Sequence, residues 1–232
     1  GLKLKLAFKI QYKGTNYSGF QSQKNANSIQ DELIRAFKRI SVDNPQMNYS
    51  GRTDKGVHAL GQVFDIVVTQ DRSDIQWISG LNSNLPNDIS VVDIDRVEDS
   101  FHSRFDTIDR TYSYLIFNSP SRNVLLDDFY YWEQAELDIN KMNEESKCLI
   151  GKHDFTSFRS LNCGSNNPER IVKKIEINKL GDIIEIKITA NAFLQNMVRI
   201  IVGTLLEIGK YQIKISLKET VSYTHLTLPT IE

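Results

Sequence analysis

The segment Ser50-Gly51-Arg52-Thr53-Asp54-Lys55-Gly56-Val57-His58-Ala59 gathers a carboxylate, a guanidinium, a hydroxyl and an imidazole within ten residues. Two glycines bracket the charged stretch, and strand-like patterns flank it, so a loop at a sheet edge would present Arg52 and Asp54 to a ligand. A carboxylate held there can serve as a nucleophile or as a general base. A paired arginine would keep it ionised in a partly dry site. The same residue types also make ordinary turns, in which Asp54 bonds backbone amides and Arg52 is solvated. Two more positions carry chemistry elsewhere: Tyr112 in an alternating stretch, and Arg199 among Phe193, Met197, Ile200, Ile201 and Val202, where a charge near an apolar face needs a partner. A core tyrosine and a structural salt bridge would account for these two equally well. His58, His102 and His153 match no standard metal-ligand spacing, so no metal is expected.

The elements that must position these groups can be read from periodicity. Leu4, Leu6, Phe8, Ile10 and Tyr12 alternate, which predicts a strand over residues 4–12. Ser28 with Asp31 three residues on reads as a helix start, and Ile29, Leu33, Phe37 and Ile40 continue it to residue 40. A short strand precedes Gly51, and residues 62–68 and 90–97 read as strands, with a short helix between them capped by Asp74. The second half has a similar outline. Residues 110–117 form a strand, Asp138 caps a helix to about residue 150, and residues 170–178 and 183–189 form a strand pair. A long helix over 193–208 follows, with Gly209 as its C′ residue. The expected fold class is α+β: two ferredoxin-like halves, 1–101 and 102–218, forming a continuous, mostly antiparallel sheet with helices on one face and a cleft between the halves.

Composition adds bounds. Of 232 residues, 40% are hydrophobic and 25% charged, ordinary for a globular chain. No apolar run approaches a membrane span, and lysines interrupt Gly1-Leu2-Lys3-Leu4-Lys5, which therefore does not read as a signal peptide; the expected location is the cytoplasm. Cys148 and Cys163 form no CxxC pair and fit reduced thiols. A net charge of −1 conceals segregation: ten Lys and Arg against four Asp and Glu in residues 1–60, six against seventeen in 61–145, and twelve against eight in 146–232. A fold that joins the two ends would have a basic face suited to phosphate. Solvated faces of unlike sign would give the same pattern.

The loop 51–59 resembles the GRTDxGVHA signature of the TruA family of tRNA pseudouridine synthases. Further segments resemble the family in order: Tyr17-Ser18-Gly19-Phe20-Gln21, Asn82-Ser83-Asn84-Leu85-Pro86, Phe101-His102-Ser103-Arg104-Phe105, Arg110-Thr111-Tyr112-Ser113-Tyr114, Asp154-Phe155-Thr156-Ser157-Phe158 and the run from Asn191 to Arg199. The resemblance spans roughly residues 4–218. It implies isomerisation of uridine to pseudouridine in the anticodon stem-loop of tRNA by a homodimer, with no cofactor. It implies roles as well. Asp54 falls on the catalytic aspartate, Arg52 on the arginine that takes the displaced uridine's place, Tyr112 on the tyrosine against the uracil, and Arg199 on the arginine paired with the carboxylate. Arg104 is expected to contact phosphate, and Thr53 and His58 to help bind substrate. Attack at C1′ and proton abstraction at C2′ are equally consistent with these residues.

Two other classes stay open at this point. A non-catalytic RNA-binding protein could use the same scaffold, although it would not need Asp54, Tyr112 and Arg199 together. A metal-dependent hydrolase would need bound metal. The family's C-terminal strand is not found after Lys218, which leaves an inactive, truncated synthase as a further alternative, and residues 219–232 read as a non-native tail.

Overall fold

The computed structural model describes residues 1–159 and 165–210. The expectations for residues 211–218 and for the tail 219–232, and Cys163, lie outside the described residues. The chain divides into two compact units, Gly1–Thr107 and the residues from Ile108 onward.

The first unit runs β1 (Leu4–Tyr12), α1 (Ile29–Arg39), β2 (Asn48–Tyr49), β3 (Ala59–Val68), α2 (Asp74–Asn82) and β4 (Ile89–Val97). Its sheet order is β2-β3-β1-β4, and every pairing is antiparallel. This is the βαββαβ arrangement of a ferredoxin-like fold. The period-2 pattern sorts the faces: Leu6, Phe8, Ile10, Phe64 and Ile66 are buried, while Lys9, Gln11 and Val67 are exposed. Ile29, Leu33 and Phe37 of α1 and Trp77 and Leu81 of α2 complete one core on the buried face. Phe8 is its centre, stacked on Phe64 at 5.1 Å and meeting Phe37 and Trp77 edge-on. Ser28 caps α1 as expected, its hydroxyl accepting the Asp31 N–H. The cap of α2 differs from the expectation. Ser73, not Asp74, is the N-cap, and it forms a full capping box with Gln76. Asp74 is thereby the first helical residue, and its carboxylate pairs with Arg96 instead.

The second unit runs β5 (Arg110–Asn118), β6 (Tyr131–Glu133), α3 (Ile139–Ser146), β7 (Gly151–Asp154), β8 (Glu169–Leu180), β9 (Ile183–Ala190) and α4 (Met197–Gly209). Its sheet order is β6-β5-β9-β8-β7, with only β5–β6 parallel. Strands β5, β9 and β8 stand to α3 and α4 as β1, β3 and β2 stand to α1 and α2. Ile184, Ile186, Ile188 and Ala190 of β9 bury one face against α4, whose Met197, Ile201, Leu205 and Ile208 fill the core.

The chain is thus α+β with two mostly antiparallel sheets and four α-helices among the described residues. The strands form one sheet in each unit. Helix α4 begins at Met197, not at Phe193, because Asn196 adopts a left-handed conformation (φ 61°) that a helix cannot pass through. Gly209 is the last helical residue, not C′; its carbonyl accepts the Asp138 N–H, and the right-handed Lys210 is the cap. Strands β6 and β7 carry too few residues for a period to show, and the sequence reading missed them.

Ser28 is fully buried, and its hydroxyl also donates to Asp31 Oδ2 at 2.7 Å. Ser28→Ala is expected to lower the unfolding free energy by about 0.5–2 kcal/mol, measured by urea denaturation.

Candidate active site

The loop from Ser50 to His58 joins β2 to β3, and its stem continues their ladder. Ser50 N–H donates to the Val63 carbonyl at 2.9 Å, and its hydroxyl donates to Gln62 Oε1 at 3.0 Å. The Gln62 side-chain amide donates in turn to the Gly51 carbonyl.

Beyond the stem, the loop is gripped by residues 12–20. The Tyr12 and Thr53 hydroxyls share a hydrogen bond of 2.8 Å. Gly14 N–H donates to His58 Nδ1 at 2.9 Å, Phe20 N–H to the Thr53 carbonyl at 3.2 Å, and Gly56 N–H to the Tyr17 carbonyl at 3.4 Å. The backbones touch so closely that side chains have no room. A Cβ on Gly14 would lie 2.0 Å from the Val57 oxygen, and one on Gly19 (φ +94°) 2.4 Å from the Thr53 oxygen. The gripping segment is itself pinned. Tyr17 donates its hydroxyl to Asp88 Oδ1 at 2.6 Å, and Lys13 N–H donates to the Asp88 carbonyl at 2.9 Å. Burial first, and then the Asp88 carboxylate, push the Tyr17 phenol far above its ordinary pKa, so it stays a donor.

The outcome is a fixed backbone with exposed chemistry, since Arg52 and Asp54 both lie on the exposed side of the loop. Thr53 and His58, expected at the substrate, each hold a partner in the frame, Tyr12 and Gly14. Sequence reading treated Tyr12 as a core residue only. Its place at the last position of an alternating strand, where a phenol can reach past the sheet end, was the available signal.

Arg104 lies in a turn anchored to the same sheet. Asp65, only 1% exposed on β3, accepts Ser103 N–H at 2.7 Å on one oxygen and the Asn48 side-chain amide at 3.0 Å on the other, with Lys5 Nζ 3.7 Å away. The turn closes on itself as His102 N–H donates to Asp106 Oδ2 at 2.7 Å. Asp65 was also missed; an acid between Phe64 and Ile66 in a buried strand was its signal.

Tyr112 and Arg199 belong to the second unit. Tyr112 and Tyr114 share one face of β5, and Tyr112 meets the ring of Phe193 edge-on at 4.9 Å. Arg199, half-buried on α4, lies near Tyr114: burial raises that phenol's pKa, and the arginine's charge partly offsets the rise. Asn191 shapes the approach to α4, its Oδ1 accepting the N–H groups of Ile171 and Ala192, both at 2.9 Å. In Asp154-Phe155-Thr156-Ser157-Phe158, both phenylalanines are fully buried, and the Thr156 hydroxyl and amide donate to Asp154 Oδ1. These bonds, the hydroxyl's first, hold the Asp154 carboxyl below its ordinary pKa. Arg52, Thr53, Asp54 and His58 thus share one neighbourhood in the first unit, and Tyr112, Tyr114, Phe193 and Arg199 another in the second. No group of three His, Cys, Asp or Glu among the described residues could hold a metal ion. No described helix is long and apolar enough to cross a membrane.

A family model described as tRNA pseudouridine synthase matches residues 9–106 and 146–224. The chain belongs to the tRNA pseudouridine synthase family. It is therefore an isomerase. The two matched stretches contain the Asp54 loop, the Arg104 turn and Arg199, and Tyr112 lies between them. Among curated relatives, the tRNA pseudouridine synthase A of Hydrogenovibrio crunogenus (strain DSM 25203 / XCL-2) is 42% identical over 205 residues, 88% of this chain and 78% of that protein. That of Francisella philomiragia subsp. philomiragia is 44% identical over 200 residues, 86% of this chain and 78% of that protein. A solved chain from Galdieria sulphuraria, titled an unknown protein, overlaps with a TM-score of 0.23 at 13% identity over 90% of this chain and 94% of that one, too slight a likeness to bear on the synthase.

Two measurements check this geometry. Gly14→Ala puts a methyl group into the Val57 carbonyl and is expected to destabilise the synthase by about 1–3 kcal/mol in urea denaturation. Thr156→Val removes the hydroxyl bond to Asp154 and should raise that carboxyl's pKa, read by NMR titration. A lowered carboxyl pKa contributes stability above its unfolded value that is lost as pH falls through the folded value, so the variant, with the smaller shift, should be less stable near neutral pH and lose less stability on acidification.

Proposed function

We propose that this synthase converts uridine to pseudouridine in the anticodon stem-loop of tRNA, with Asp54 as its catalytic carboxylate. The observation that carries the reading is the Asp54 loop itself: an exposed carboxylate on a backbone locked by the 12–20 segment. A carboxylate carried on a fixed backbone at an accessible edge is in part pre-organised for chemistry, because the backbone entropy of placing it is lost on folding and not at the reaction.

The isomerisation breaks the N1–C1′ bond, turns the detached uracil and joins C5 to C1′. The hydrogen on C5 leaves as a proton and N1 gains one, so the reaction needs no redox partner and no metal. Asp54 acts at the sugar, either on C1′ as nucleophile or at C2′ as base. In this reading Arg199 supplies the guanidinium that pairs with the carboxylate. Tyr112, its ring steadied by Phe193, packs on the uracil while the base is free. Arg52 fills the place that the flipped nucleotide leaves in the stack. Arg104 contacts phosphate. Thr53 and His58 contribute through the loop's shape, since their side chains face the frame. The active form in this reading is a cytoplasmic homodimer that needs no cofactor.

Transcribed tRNA carrying tritium at uridine C5 provides the test. The parent should release tritium to water, and Asp54→Ala should bind the same tRNA but release none. Release by Asp54→Ala at the parent rate would remove Asp54 from the reaction. Binding by the parent without release would make the chain an RNA-binding protein on this scaffold.

A further inference from the structure

Phe105 is 74% exposed, on a turn that is otherwise fixed to the first unit. Its ring is not adrift. The His102 ring lies 4.2 Å away, tilted by 38°, and the Arg104 guanidinium sits 5.6 Å from its centroid. An imidazole and a cation thus brace an aromatic side chain that buries little of its own surface. The bracing is built from below: Ser103 N–H is held by the buried Asp65, and the Thr107 hydroxyl donates to the Ser103 carbonyl at 2.5 Å. A folding core has no use for such an arrangement, because exposing a phenyl ring forgoes the gain from burying it.

We propose that Phe105 is a stacking platform for an unpaired nucleobase of the RNA substrate, with Arg104 beside it for the adjoining phosphate. Bases stack on aromatic faces whatever their identity, and a guanidinium next to the ring adds charge attraction to the backbone. A nearby cation argues for RNA as the occupant over an apolar protein surface, which would leave that charge desolvated. The position suits the same end. Asp65 holds both the turn and Asn48 of β2, and the Asp54 loop springs from β2 two residues later. Gln62, opposite the loop's Gly51, is three residues along β3 from Asp65, or about 10 Å at the rise of a strand. The turn and the root of the Asp54 loop are thus close together on one sheet, so that one RNA loop can reach the platform and the Asp54 loop together. The inference rests on the tRNA reading above.

The test measures binding of an unmodified tRNA transcript to the Asp54→Ala protein, so that no turnover intervenes. Adding Phe105→Leu keeps an apolar side chain but removes the π face, and should weaken binding about five- to a hundredfold. Phe105→Trp should keep the affinity, and its indole fluorescence should fall as tRNA is added, beyond any change from Trp77 and Trp132 in the parent background. Equal affinity for Phe105→Leu and the parent overturns the proposal. So does weakened binding with an unquenched Phe105→Trp, which would make Phe105 apolar bulk only. A loss of self-association in Phe105→Leu, by sedimentation without RNA, would assign the ring to a second copy and overturns it too. Tritium release by the Phe105-intact parent separates the two levels: an active parent with a neutral Phe105→Leu sinks the platform alone, and an inactive parent sinks the function.

Discussion

Where a Cα of one segment faces a carbonyl of another at the closest range, a Cβ has no room. Gly14 and Gly19 carry none, and the strand-to-helix connection of the first unit settles directly onto the Asp54 loop. The candidate active site depends on this contact. An open loop of nine residues between two strands would sample many conformations and place its carboxylate nowhere in particular. Four cross-bonds, two through side chains and two through backbone, replace that freedom with one shape. The Tyr17–Asp88 bond extends the restraint to the start of β4, so three of the unit's strands share in holding the loop.

Around this contact the rest of the molecule is economical. Each unit repeats one plan, a sheet with two helices on its apolar face and polar residues on the other, and each puts its reactive groups at the ends or edges of strands rather than in the core. In the second unit the groups stand on β5 and at the start of α4, where Asn196 delays the helix and leaves Phe193 outside it. Had the helix begun at Phe193, that ring would have been turned by the helical period instead of meeting Tyr112 edge-on.

Much of the fold was legible in the sequence because period-2 and period-3.6 patterns record which face is buried. Strand β1 matched its expected limits, and α1 matched its cap. What escaped depended mostly on which partners the fold brings to a residue. The choice between Ser73 and Asp74 as a cap turns on which residue finds Gln76 at the right offset and on Arg96, from another strand, claiming the acid. The short strands β6 and β7 exist only because longer neighbours present open edges. At the site, the motif residues could be named from their types, but Thr53 and His58 look inward because Tyr12 and Gly14 are there to receive them, and those partners lie about forty residues away in sequence. A buried acid such as Asp65 is conspicuous in the sequence, yet its meaning resides in three distant partners.

Those partners have a bearing on how the first unit comes together. Lys5, Asn48 and Ser103 stand near the beginning, the middle and the end of the unit's chain, and all converge on one carboxylate. A junction spanning that much sequence carries a large loop-closure cost and cannot form from a local fragment. The turn bearing Arg104 and Phe105 is therefore expected to take its shape only once β1, β2 and β3 have already paired. A partly synthesised or partly folded chain would keep that aromatic ring unbraced, and the turn would mature as a late event of folding rather than as a seed of it.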